Sequence, residues 1–177
     1  PEQSKPRAGD WGAFPSDEFA AWFVPVLADY VLYSGDRALA RRMRPTVSAL
    51  LRYLGEHCRE DGLFEQRRET SKHACELAFG STSVHHRSYM NILLWKVYRD
   101  AADLADWTEC PDEAARYRCK AAAMATVIRA NFWNAVRGEF RKSLEEPDAF
   151  GWEASALALA VRFTNEEEAR ALSGKFM

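Results

Sequence analysis

Asp17 and Glu18 open a helix predicted from the pattern that follows them, and Trp22 comes one turn later. Carboxylates accept hydrogen bonds from hydroxyl groups, and an indole stacks on a C–H face, so the trio has the chemistry to hold a hydroxyl-rich ligand. The same residues also have a purely structural explanation. Ser16 can cap the helix, acids in its first turn meet the positive end of the dipole, and Trp22 falls on an apolar arc. Phe64 and Glu65 form a second candidate pair just past an Asp61-Gly62 break, ahead of a polar stretch over 66–81 that reads as a long loop. Loops of that length in compact domains are more often functional than idle. His85-His86 opens a third helix, where imidazoles donate to hydroxyls, move protons, or simply cap and face solvent. Asp10 and Trp11 lie in an irregular terminal segment.

Other chemistries find little footing. Cys58, Cys75, Cys110 and Cys119 show no CxxC pair and no disulfide spacing, so they read as free, buried thiols. His57-Cys58 and His73-Ala74-Cys75 lack the tight paired spacing of a structural zinc site. There is no glycine-rich phosphate loop, no G-x-S-x-G elbow and no H-E-x-x-H pair. No metal and no cofactor are expected. The acidic runs Glu145-Glu146 and Glu166-Glu167-Glu168 read as solvated faces.

The elements that must position these residues are helices. The chain of 177 residues suits one domain, and 47% apolar with 28% charged residues is ordinary for a globular protein. A net charge of −2 gives no basic field for nucleic acid or an anionic membrane surface. No apolar run reaches the ~20 residues of a membrane span. The chain opens on Pro1 rather than Met, which fits a piece of a longer chain; its compartment is unassigned, with the cytoplasm as the default expectation.

Pro1, Pro6, Gly9, Gly12 and Pro15 keep residues 1–15 irregular. A first helix runs from about Asp17 to Ser34 with a wide apolar arc (Phe19, Trp22, Phe23, Val26, Leu27, Tyr30, Val31 and Tyr33), a bend at Pro25, and Gly35 as its C-cap. Asp36 caps a second, about Arg37 to Glu60, kinked at Pro45, with Arg37, Arg41, Arg42 and Arg44 as solvated surface. Leu63-Phe64-Glu65 suggests a short strand or turn. A third helix spans about Thr82 to Trp107, and Pro111 opens a fourth to Phe132. Trp133 and Phe140 flank a small β-hairpin. A fifth helix covers about Trp152 to Phe163, and Thr164 with Glu167 makes a capping box for a sixth. Tyr30, Tyr33, Trp95, Tyr98, Trp133 and Trp152 are expected in the core.

The ordered series Ala28-Asp29-Tyr30-Val31-Leu32-Tyr33-Ser34-Gly35-Asp36, Arg44-Pro45-Thr46-Val47, Leu50-Leu51-Arg52-Tyr53-Leu54, Asp61-Gly62-Leu63, Asn131-Phe132-Trp133, Gly138-Glu139-Phe140 and Ala154-Ser155-Ala156-Leu157-Ala158-Leu159-Ala160 followed by Glu166-Glu167-Glu168 resembles the six-hairpin glycosidases. Within them it is most similar to the bacterial α-L-rhamnosidase family, over about residues 14–172. The resemblance implies an all-α fold, with residues 16–177 forming about two and a half hairpins of an (α/α)6 toroid and a small β-hairpin near 132–142. It implies inverting hydrolysis of a terminal α-L-rhamnoside, by an acid and a base some 6.5–9.5 Å apart. It places Asp17, Glu18 and Trp22 at the sugar end, with Phe64 and Glu65 at a second rim position.

The chain departs from the family pattern in telling places. The family's general acid lies in an Arg-Asp-Glu and Gly-Trp-x-Gly-Asp motif ahead of the Tyr-x-x-Gly-Asp segment, and that motif does not occur here. Its general base lies in a later hairpin. Where the family often has Asp-Trp, this chain has Phe64-Glu65-Gln66. No catalytic residue is therefore assigned within the chain, which is expected to be inactive alone. The rhamnoside is the partner of the parent protein, and open hairpin faces predict self-association of the piece. Rival readings are a glucosidase, debranching or trehalase-like six-hairpin enzyme, and a non-catalytic helical scaffold that binds protein.

Overall fold

The computed structural model of the chain describes residues 17–65 and 88–177. The readings made on residues 1–16 and 66–87 lie outside the described residues: the irregular segment 1–15, the Ser16 cap, Asp10, Trp11, His73, Cys75, the stretch 66–81 and His85-His86.

Helix α1 spans Asp17–Ser34 and α2 spans Arg37–Glu56. The joint between them is two residues long because each does one job. Gly35 takes φ +71°, with its N–H bonded to the Val31 carbonyl at 2.9 Å. A side chain forced into that left-handed conformation costs about 1–2 kcal/mol. Asp36 then accepts the Leu39 N–H at 2.9 Å, a cap of about 1 kcal/mol. Both helices run unbroken through their internal prolines, Pro25 and Pro45. α2 stops four residues short of the expected Glu60. His57 takes its C-cap, Arg59 N–H pairs with the Leu63 carbonyl, and an isolated bridge joins Cys58 to Phe64. That local closure outcompetes another helical turn.

α3 is described from Ser88 to Trp107, and α4 spans Pro111–Phe132 with proline in its first turn. Strands β1 (Trp133–Asn134) and β2 (Glu139–Phe140) pair antiparallel, Trp133 opposite Phe140 and Asn134 opposite Glu139. α5 spans Trp152–Ala160. It ends before the expected Phe163 because Arg162 adopts φ 57° and Phe163 N–H closes back onto the Ala158 carbonyl. α6 spans Glu166–Ser173. Its capping box is Asn165 with Glu168, not Thr164 with Glu167: Asn165 Oδ1 accepts from Glu168 N–H, and Glu168 Oε2 accepts from Asn165 N–H.

The architecture is all-α, with a single two-stranded sheet among the described residues. Three helical pairs follow one another: α1 with α2, α3 with α4, α5 with α6. α3 packs against α1, α2, α4 and α5, so the first helices of successive pairs stand side by side with the second helices behind. This explains why α3 buries apolar residues around its whole circumference, including Ile92, Leu93, Leu94, Val97 and Leu104. Val24 and Val31 of α1, Leu51 and Leu54 of α2, and Met124, Ile128 and Phe132 of α4 close the core around it. Each such side chain contributes about 1.5–3 kcal/mol by leaving water.

Trp95 and Tyr98 lie in the core as expected, and Trp133 is half-buried. Tyr30, Tyr33 and Trp152 do not, at 49%, 87% and 44% exposure. α1 is apolar all round, yet only one side of it meets α2 and α3, so periodicity could not single out the buried face. Cys119 is exposed rather than buried, because it sits on the outer face of α4. Arg44 is more than solvated surface: its Nε donates to Glu113 Oε2 at 2.7 Å, tying α2 to α4.

Candidate functional site

The antiparallel pairing of α1 and α2 brings the start of α1, the end of α2 and the start of α3 to one end of the bundle. Five candidate residues and their partners gather there in two threads.

The first thread joins α1 to α3. Tyr89 donates its hydroxyl hydrogen to Glu18 Oε1 at 2.9 Å and accepts from Trp22 Nε1 at 3.3 Å. The indole is half-buried and fixed by its N–H, so its ring cannot swing freely about χ1. Glu18 itself is buried.

The second thread joins α1 to α2 and to the 58–65 turn. Tyr53 donates to Asp17 Oδ1 at 2.8 Å. Its ring packs at 4.6 Å from that of His57, whose Nδ1 lies 2.8 Å from the Tyr53 carbonyl. The His57 ring in turn stacks against Phe64 at 6.1 Å. Phe64 is buried, and Asn91 on α3 grips its backbone from both sides: Asn91 Oδ1 accepts the Phe64 N–H at 2.8 Å, and Asn91 Nδ2 donates to the Phe64 carbonyl at 3.4 Å. Glu65 follows, half-buried, with its N–H bonded to the His57 carbonyl.

Burial pushes the Tyr53 hydroxyl up to about 12, and the hydrogen bond to Asp17 adds to the shift. Tyr53 is therefore a fixed donor over the whole physiological range. Asp17 is fully buried, and its Oδ2 has no hydrogen-bond partner. A buried carboxylate oxygen left unpaired is costly, and a ligand hydroxyl is one group that would relieve it. Phe64, by contrast, turns its ring inward to His57 and serves this end of the bundle as a wedge.

Tyr53, Tyr89 and Asn91 were not singled out by sequence, although one signal was available for Tyr53. A two-residue joint between Ser34 and Arg37 fixes the register of the hairpin and sets Asp17 across from Tyr53-Leu54. Tyr89 and Asn91 had no such signal, because the segment linking α2 to α3 hides how the two helices register. Among the described residues no group of three or more His, Cys, Asp and Glu side chains could hold a metal ion, and no helix is long and apolar enough to cross a membrane.

No protein-family model matches the chain, and no curated protein matches it either. Solved structures do. A GH78 family rhamnosidase of Bacillus sp. GL1 superposes with a TM-score of 0.77 at 18% identity, over 92% of this chain and 17% of that one. A rhamnosidase from Klebsiella oxytoca, solved with rhamnose bound, superposes with a TM-score of 0.76 at 17% identity, over 91% of this chain and 30% of that one. The chain thus shares the fold of a part of these enzymes and spans less than a third of either.

Proposed function

We propose that the chain is part of the catalytic domain of an α-L-rhamnosidase, residues 16–177 supplying an arc of its (α/α)6 toroid and one stretch of its sugar-binding wall. The observation that carries this reading is the likeness of nearly the whole chain to a part of two rhamnosidases. The end of the bundle supports it chemically. Trp22 offers an indole held in place by Tyr89, Glu18 stands beside it, and Asp17 keeps an unused acceptor. Phe64 and Glu65 hold the neighbouring rim.

Inverting hydrolysis needs one carboxylic acid to protonate the leaving oxygen and one carboxylate to activate water on the opposite face. Those two groups belong to other parts of the toroid. The role of this chain is binding and orientation, with the rhamnose ring against Trp22 and its hydroxyls on the carboxylates.

The test is a saturation-transfer NMR titration of the purified chain with methyl α-L-rhamnoside, methyl α-D-glucoside and trehalose. Transfer to the rhamnoside that disappears in W22A is the expected outcome. Selective transfer to either glucose-based sugar moves the assignment to a glucosidase or trehalase-like enzyme. No transfer to any sugar, alongside capture of peptides, favours a protein-binding scaffold. An aryl α-L-rhamnoside should not be turned over; turnover lost on changing a carboxylate within the chain would overturn the placement of the catalytic pair elsewhere.

A further inference from the structure

Tyr53 orients two polar side chains with different atoms. Its hydroxyl donates to Asp17 Oδ1 at 2.8 Å, and its carbonyl oxygen lies 2.8 Å from His57 Nδ1. A carbonyl oxygen only accepts, so the hydrogen of the neutral imidazole sits on Nδ1 and Nε2 is a bare acceptor. No described residue donates to Nε2. One tyrosine thus leaves an unused acceptor on each of its neighbours, Oδ2 on Asp17 and Nε2 on His57.

The imidazole cannot turn that lone pair elsewhere at no cost. Its ring is held between those of Tyr53 and Phe64, with centroids 4.6 and 6.1 Å away, and the residue is 8% exposed. Flipping the ring would bring a carbon to the Tyr53 carbonyl and forfeit the Nδ1 bond. Phe64 is itself fixed by the two backbone bonds to Asn91, so the wall behind the imidazole is rigid. Nε2 is enclosed on most sides but not sealed off. A phenylalanine would pack between the two aromatic rings as well and leave no acceptor unpaired. An acceptor fixed in one direction asks little ordering of a ligand that supplies the donor.

We propose that His57 Nε2 is a ligand contact, accepting a hydrogen from a hydroxyl of the sugar bound at this end of the bundle. The inference rests on the sugar-binding reading and gives that wall a preference. With Asp17 and His57 both presenting acceptors, it selects a ligand whose hydroxyls are free to donate.

Two substitutions separate contact from packing. H57N keeps a donor at the Nδ1 position and removes the Nε2 acceptor. H57Q removes the Nδ1 donor and can set its amide oxygen where Nε2 stood. In saturation-transfer titrations with methyl α-L-rhamnoside, H57N should bind about 5- to 30-fold more weakly than the wild type. H57Q should bind nearly as the wild type does, with a lower urea midpoint. A packing role reverses that order of affinities and overturns the proposal. A second measurement needs no substitution and decides the matter if either variant fails to fold. The ¹⁵N spectrum of the histidine-labelled wild type should show a bare Nε2 that shifts on saturation with the rhamnoside. A free chain with its hydrogen on Nε2, or a bare Nε2 that stays put at saturation, overturns the proposal. Rhamnoside binding lost in W22A but unchanged in H57N also overturns it while the sugar-binding reading stands; a wild type that binds no rhamnoside brings down both.

Discussion

The Tyr53 hydroxyl donates to Asp17 Oδ1 at 2.8 Å, so the last turn of α2 holds the first residue of α1. That bond closes the hairpin at the end opposite its Gly35-Asp36 joint. It also leaves the other oxygen of the same carboxylate buried and unpartnered. One residue is thus both a structural clasp and an unspent acceptor.

Removing the clasp should be costly. Y53F leaves both oxygens of a fully buried Asp17 without a protein donor, and an unsatisfied buried group costs about 1–3 kcal/mol. Urea unfolding should show a lower midpoint with an unchanged m-value. In D17N the same tyrosine change should cost less, because a neutral amide is cheaper to leave unpaired. Equal costs in the two backgrounds would mean that the bond carries no coupling.

Alkaline titration gives a second check. Tyr53 and Tyr98 are each pushed up to about 12, Tyr53 by burial and Asp17, Tyr98 chiefly by burial. Both folded values lie above the unfolded 10.0, so the stability they contribute is complete below pH 10 and drains away as pH rises toward 12. Burial raises Tyr117 as well, so phenolate absorbance should show Tyr53, Tyr98 and Tyr117 titrating late, the chain should unfold cooperatively in that window, and Y53F should remove one late titration.

Local punctuation made much of the fold legible. Gly35, Asp36, Pro111 and the Trp133–Phe140 hairpin act within a few residues, so sequence located them closely. α1 shows where locality ends. Its apolar circumference concealed that Tyr30 and Tyr33 face outward while Val24 and Val31 face inward. The Asn165–Glu168 box was displaced by one residue, since either Thr164 or Asn165 could cap and the Arg162–Phe163 turn chose between them. At the site, Asp17, Glu18, Trp22 and Phe64 were named from sequence, whereas Tyr89 reaches Glu18 across 71 residues of chain and Asn91 reaches the Phe64 backbone across 27. No helical period encodes such contacts.

Asp100 offers a pH-dependent prediction of opposite character. It is buried on α3, its Oδ1 is 2.5 Å from Lys96 Nζ, and its Oδ2 has no hydrogen-bond partner. Burial raises its carboxyl above the ordinary 3.8, and Lys96 offsets only part of that. Stability tied to its proton is therefore full below pH 3.8 and lost as pH rises through the folded value. D100N should raise Tm at pH 7 and leave it unchanged near pH ~3, where the wild-type carboxyl is protonated in both states. A lower Tm at pH 7 would show that the Lys96 pair outweighs desolvation.

Gly151 should be intolerant of any side chain. Its Cβ would stand 2.7 Å from the Arg141 carbonyl oxygen and 2.9 Å from its carbon, and both are backbone atoms that cannot rotate aside. The close approach comes from the Arg141–Phe150 bridge and the Gly151 N–H bond to the Phe140 carbonyl, which together launch α5 from the hairpin. G151A should destabilise by about 1–3 kcal/mol through overpacking. Hydrogen exchange should accelerate first in α5, β2 and α6, which all meet at that junction.

Tyr89 tests whether the first thread of the site acts on ligand. Its oxygen receives the Trp22 N–H and gives its own hydrogen to Glu18. Y89F keeps the ring and its packing but frees the indole to rotate and leaves Glu18 with one donor fewer. If Trp22 stacks on a sugar, that freedom must be lost again on binding, and methyl α-L-rhamnoside should bind about 5- to 30-fold more weakly, corresponding to the ~1–2 kcal/mol of one hydrogen bond. The emission of Trp22 should shift at the same time, as its N–H turns to water. An emission shift with unchanged rhamnoside affinity would reduce Tyr89 to a packing role and separate the indole's orientation from binding.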